Sequence, residues 1–207
     1  MDLMRKNSLM TLTLTVLNNL PKVVTYPNEL YIYIRGGDIF KNPDKSAYNY
    51  FQPPLCFYKK ILDKFKFEKV FIITEDKLNP IIPKLLSKYY YIKIKKNIIK
   101  VDISYLIYSY NLVAARSTFF LTSIKFNTKL KFLWEYDFLF LYQKYLHLHY
   151  SVYNFPCYFK IYKMKSSINY RRIMHPWTNS PNQRKMMIKE RCLNNFNIIN
   201  SKHIFFP

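Results

Sequence analysis

Short apolar runs alternate with stretches of helical spacing from residue 30 onward. Residues 30–34 (LYIYI) are apolar and aromatic without a polar break and end at Gly36-Gly37, which reads as a buried strand. A polar loop follows over 41–50, with Asn42-Pro43 as a turn signal. Pro53-Pro54 then opens a helix over 53–65, with apolar residues at Leu55, Tyr58, Ile61, Leu62 and Phe65. Proline suits a first helical turn because the donor it lacks has no partner there. Residues 70–73 (VFII) form a second buried strand, stopped by Thr74-Glu75-Asp76. The same reading predicts a helix over 80–88, a strand over 90–94 and a short fourth strand over 98–101. Residues 103–113 have helical spacing, Ser117-Thr118-Phe119 begins another helix, and 130–134 reads as the last strand.

Strands that alternate with helices of about ten residues predict a parallel, doubly wound sheet. The expected fold is therefore α/β, a Rossmann-like parallel sheet with flanking helices. Three parts are expected: an N-terminal segment (1–28) without clear period, the Rossmann-like domain (29–134), and an aromatic and basic C-terminal extension (135–207). Within the extension, 157–164 alternates enough for an edge strand, and 166–181 is polar and basic.

Half of the 207 residues are hydrophobic, enough for a core. The net charge of +21 comes from lysines and arginines scattered along the chain, without zinc-finger spacing, a basic zipper or an RNA-binding aromatic motif. Charge of this kind predicts weak, salt-sensitive association with polyanions and no sequence-specific nucleic-acid partner. No run reaches the ~20 apolar residues of a membrane-spanning helix. Residues 10–20 are mildly apolar behind Arg5 and Lys6, a weak signal-like pattern without a convincing cleavage site. Cys56, Cys157 and Cys192 are too few for a disulfide framework or a metal site. They read as simple thiols, with one bridge left open for a lumenal protein. His147 and His149 lie two apart but lack an evident third metal ligand, and His175 before Pro176 reads as loop.

In open parallel sheets ligands bind beyond the carboxyl ends of the strands. That rule singles out Arg35 to Asp38, Thr74 to Asp76, Asp102, and Ser117 to Thr118. Arg35 leaves a predicted strand directly before the chain's only two glycines, Gly36 and Gly37. A guanidinium grips phosphate oxygens with a planar fork, and glycines let backbone donors approach an anion closely. A tight turn beside a surface arginine explains the same residues. Asp102 either caps a helix or meets a ligand, and Glu75-Asp76 also fits an ordinary solvated turn.

Residues 33–38 (YIRGGD) resemble the His-x-Arg-x-Gly-Asp motif of the fucosyltransferase superfamily, with Tyr33 in place of the histidine and Arg35, Gly37 and Asp38 matching. Three further stretches follow in the order of that family: 70–76 (VFIITED), Asp102 before its helix, and 111–119 (NLVAARSTF). The resemblance spans roughly residues 29–134. It implies the donor-binding half of a GT-B glycosyltransferase. Arg35 would hold the donor diphosphate; Gly37, Glu75, Asp76, Asp102, Ser117 and Thr118 would line the donor site. Arg35 and Asp38 would be the catalytic pair. The donor would be GDP-fucose or another nucleotide sugar and the acceptor a hydroxyl of a glycan or glycoprotein, with no metal or other cofactor. A Golgi or ER lumen is suggested only by the resemblance.

These enzymes carry an acceptor half before the motif, and here about 30 residues precede it. A truncated product, a fragment, a reduced enzyme that uses 135–207 for its acceptor, and an inactive descendant all fit that length.

Overall fold

A computed structural model describes residues 18–41, 50, 52–95, 97–136 and 159–200. Its strands are β1 (Glu29–Tyr33), β2 (Lys69–Ile73), β3 (Ile92–Lys95), β4 (Asn111–Val113), β5 (Phe132–Tyr136), β6 (Lys160–Met164) and β7 (Asn197–Asn200). Its helices are α1 (Asp38–Lys41), α2 (Leu55–Lys64), α3 (Ile81–Lys88), α4 (Ile99–Tyr108), α5 (Thr118–Ile124), α6 (Ile168–Met174) and α7 (Pro181–Lys189). The strands form one sheet in the order β3-β2-β1-β4-β5-β6-β7. Every neighbouring pair is parallel except β6 with β7. The protein is therefore an α/β fold with a Rossmann-like sheet.

Alternate strand residues feed two separate cores, as the two-residue period of a strand requires. Leu30, Ile32, Val70, Ile72 and Trp134 face one side, packed by Phe57 and Ile61 of α2, Leu85 of α3, Tyr170 of α6 and Met187 of α7. Tyr31, Tyr33, Phe71, Ile73 and Leu133 face the other, packed by Leu106 of α4 and by Phe120 and Ile124 of α5. Burial on both faces explains why β1 and β2 read as unbroken apolar runs. Each fully buried Ile, Leu or Phe among them contributes about 1.5–3 kcal/mol.

Several elements differ from the sequence expectation. Residues 98–101 are not a strand. Ile98 is extended, Ile99 starts α4, and both side chains are exposed. The chain must cross back over two strands from β3 to reach β4, and a parallel connection of that kind needs a helix. The predicted helix over 103–113 stops at Tyr108, because Asn111 enters the sheet instead. Its Nδ2 donates to the carbonyls of Pro27 and Glu29, each at 2.7 Å. Residues 130–134 lead into β5, which is not the last strand. The segment at 157–164 contributes β6, but as an interior strand flanked by β5 and β7.

The sheet thus continues past residue 134, and α6 and α7 share the core of α2 and α3. Both helices begin at serine N-caps: Ser167 Oγ accepts from Tyr170 N, and Ser180 with Gln183 forms a capping box. A disulfide joins Cys56 in α2 to Cys192 after α7. This corrects the reading of these cysteines as simple thiols. Their partners are 136 residues apart, so only the packing of α7 onto α2 brings them together. Cys157, His147 and His149 lie outside the described residues.

Candidate functional site

The chain leaves β1 for β2 and β3 on one side, then crosses to β4 and β5 on the other. The gap between the carboxyl ends of β1 and β4 is the point where the strand order reverses, and in doubly wound sheets ligands bind there. Arg35 lies just beyond β1 and Ser117 just beyond β4.

The Arg35 side chain is only 18% exposed, and its fork holds two carboxylates. Nη1 donates to Glu75 Oε1 at 2.5 Å, and Nη2 donates to Asp38 Oδ1 at 2.7 Å. Its Nε is buried and makes no hydrogen bond. The Tyr50 ring lies 5.9 Å from the guanidinium. Burial works to lower the Arg35 pKa, but Glu75, Tyr33 and Asp38 outweigh it and hold it above the ordinary value. Burial also pushes the Glu75 carboxyl up, against the pull of Arg35.

The two glycines approach the turn after β2 closely, and Gly37 also takes a left-handed backbone that favours glycine. Gly37 has φ +62°, and a Cβ there would sit 1.9 Å from Glu75 Oε2. A Cβ on Gly36 would sit 2.6 Å from Asp76 Oδ1. Asp76 is the clasp between the two loops. Its Oδ2 accepts from Gly37 N at 3.0 Å and its Oδ1 from Leu78 N at 2.9 Å. Its acceptors are therefore already engaged with backbone donors. Asn79 adds a second tie: Nδ2 donates to the Arg35 carbonyl, and Oδ1 accepts from Ile81 N at the start of α3.

Ser117 is 4% exposed and extended, as the residue before α5. Thr118 is the first residue of α5. Burial raises the pKa of Tyr33, while hydrogen bonding to Ser117 and Arg35 opposes the rise. The Tyr33 ring packs against Phe119 and Phe120 of α5, with ring centroids 5.6 and 5.8 Å away, which ties the end of β1 to the helix after β4. Asp102 stands apart. It lies in the first turn of α4, after β3, which is two strands from β1. Its Oδ1 accepts from Asn97 Nδ2 at 3.1 Å, and burial raises its pKa to about 6.

Of the residues singled out by sequence, the structure gathers Arg35, Gly37, Asp38, Glu75 and Asp76 into one cluster, with Ser117 beyond the neighbouring strand β4. Asp102 falls outside that cluster. Sequence reasoning missed three kinds of residue here. Arg116, 7% exposed, is a second buried arginine beyond β4, and its place before Ser-Thr was the available signal. Asn79 left no signal beyond its place before Pro80. Trp177, Asn179 and Arg184 hold α1 from the C-terminal segment. Trp177 Nε1 donates to the Ile39 carbonyl, and Asn179 Nδ2 and Arg184 Nη2 both donate to the Phe40 carbonyl. These contacts link positions 138 to 144 apart, which no local pattern encodes.

Chemically, the cluster presents one guanidinium in a fork suited to carboxylate or phosphate. Two carboxylates already fill it, so an anionic ligand has to displace Glu75 or Asp38 to engage the fork. Among the described residues no group of three or more His, Cys, Asp or Glu is placed to hold a metal ion, and no helix is long and apolar enough to cross a membrane. No protein-family model, curated protein or solved structure matches the chain.

Proposed function

We propose that the protein binds a nucleotide sugar at the β1/β4 crossing and acts as a fucosyltransferase-like glycosyltransferase, with Arg35 as the diphosphate anchor. One observation carries this reading. Arg35 stands at the strand-order reversal of a Rossmann-like sheet, on a glycine-bearing loop, with Ser117 at the end of the neighbouring strand β4. Reversal points are ligand sites in such sheets, and a rigid fork is the side chain best matched to a diphosphate.

In the proposed transfer, an acceptor hydroxyl attacks the anomeric carbon, and the bond to the diphosphate breaks with its electron pair on GDP. Negative charge grows on the leaving group, where a fixed guanidinium stabilises it most. Asp38 is the exposed arm of the fork at 74%, and ligand phosphate would release it. It is then the nearest carboxylate to receive the acceptor proton. A glycan or glycoprotein hydroxyl is the proposed acceptor.

A second reading, an inactive descendant of the same fold, draws on one fact: Glu75 and Asp38 already fill the fork. Calorimetric titration with GDP and GDP-fucose separates the two, followed by a sugar-transfer assay. Binding that disappears in Arg35→Ala supports the donor site. No binding by the parent supports the structural reading.

A further inference from the structure

At the end of the sheet opposite Arg35, the strands β2, β1, β4, β5 and β6 all begin. They are parallel neighbours, so the turns leading into them lie along one edge in that order: 66–69, 26–28, 108–110, 129–131 and 159–160. Hydrogen bonds stitch these turns together. Glu68 N donates to the Asn28 carbonyl, Thr25 Oγ1 to the Tyr108 carbonyl and Asn111 Nδ2 to the Pro27 carbonyl. Lys131 N donates to the Tyr110 carbonyl at 2.8 Å, and Lys160 N to the Lys131 carbonyl at 2.9 Å. Four strand spacings separate β2 from β6, so the edge is a fixed row roughly 19 Å long.

Tyrosine and lysine side chains stand next to one another along this row. Lys69 Nζ lies 5.9 Å from the centre of the Tyr26 ring. Lys129 Nζ lies 5.6 Å from the Tyr108 ring and 5.8 Å from the Tyr110 ring, and Lys131 Nζ lies 5.5 Å from the Tyr110 ring. Attraction between ammonium and ring face favours these placements. Lys129, Lys131 and Lys160 are exposed, and none of them forms an ion pair with a described residue. The acidic groups of the row, Glu29 and Glu68, stand where β1 and β2 begin, and Lys69 answers Glu29 at 3.9 Å. The turns 108–110, 129–131 and 159–160 hold three lysines and no acid. Tyr26, 51% exposed, offers its ring to solvent beside them.

We propose that this edge binds single-stranded nucleic acid without sequence preference, with Lys129, Lys131 and Lys160 on the phosphates and Tyr26 against a base. A row of cations matches a linear polyanion better than a single phosphate. Rings between the cations match a chain whose phosphates alternate with flat bases, and such stacking tolerates any base. The edge consists of turns, and among the described residues no helix or two-stranded ribbon stands out from it to enter a duplex groove, which favours a single strand. The surface lies at the far end of the sheet from Arg35 and does not depend on the nucleotide-sugar reading.

Fluorescence anisotropy with a labelled oligothymidylate of about 15 nucleotides, within the range of single-strand sites, tests the surface. The parent is expected to bind. Lys129→Ala/Lys131→Ala/Lys160→Ala is expected to lose about 10- to 100-fold at moderate salt, with a log–log salt slope shallower by about two. Arg172→Ala/Lys185→Ala/Lys189→Ala removes three exposed cations from α6 and α7 instead, and is expected to cost about threefold or less. Equal losses in the two triple variants mean that the charge acts diffusely, and they overturn the proposal. So does a parent that binds vesicles of anionic phospholipid but not the oligonucleotide. Tyr26→Ala is expected to weaken oligonucleotide binding about 5- to 100-fold and Tyr26→Phe to retain it, while heparin, a polyanion without bases, binds Tyr26→Ala as it binds the parent. An oligonucleotide affinity that is unchanged in Tyr26→Ala, or a loss equal to that for heparin, overturns the assignment to nucleic acid. The substituted side chains are exposed, so the variants are expected to fold as the parent does.

Discussion

The Arg35 guanidinium meets the Glu75 carboxylate at 2.5 Å, joining the loop after β1 to the turn after β2. Any anion that uses Arg35 competes with this contact. Arg35→Ala is expected to weaken GDP binding by about 1.5–3 kcal/mol, and Arg35→Lys to recover only part of that. Glu75→Gln is expected to do the opposite, tightening GDP binding by removing the competitor and one negative charge. Calorimetry on the three variants checks both signs. Unchanged affinity in Arg35→Ala rules out the anchor.

Gly37→Ala is expected to destabilise the fold by about 1–3 kcal/mol. The cause is twofold: φ is +62°, and the new Cβ would reach 1.9 Å from Glu75 Oε2. Pairing it with Glu75→Ala relieves the clash but not the backbone strain, so only part of the loss should return. Chemical denaturation of the single and double variants measures the split. A neutral Gly37→Ala would show that the loop shifts freely.

Asp102 gives stability a pH dependence. Burial raises its folded pKa to about 6, so the folded protein holds this proton more tightly than the unfolded chain does. Its contribution is full below about pH 4, the ordinary carboxylate range, and is lost as pH rises through about 6. Asp102→Asn cannot ionise. Relative to the parent, its melting temperature is expected to rise between pH 4 and 7 and to level off above. A difference that stays flat with pH would mean that Asp102 titrates normally.

The Cys56–Cys192 bridge closes a long loop, with 136 residues of separation. Removing such a bridge typically costs about 2–5 kcal/mol. Cys56→Ser/Cys192→Ser is expected to lower the unfolding free energy by that amount and the denaturation midpoint with it, and a reductant to do the same in the parent but not in the variant. Identical parent midpoints with and without reductant would mean that the bridge contributes no stability.

The sequence by itself determined the local elements near the site. Unbroken apolar runs at β1 and β2, each followed by a helical stretch, carry the parallel pairing of these strands, because a strand buried on both faces has no polar alternation. Arg35 beside the only two glycines also marks its own loop, since the left-handed backbone at Gly37 favours glycine. The tertiary structure decided the rest. A four-residue segment such as 98–101 (IIKV) has no period of its own, so the crossover to β4 set Ile99 onward as helix. Asp102 went with that helix and away from Arg35. The Cys56–Cys192 bridge and the Trp177 clamp on α1 depend on strand order and register. Those are set by the packing of whole layers across more than a hundred residues, or by a neighbouring strand's alignment, and neither leaves a mark on local periodicity.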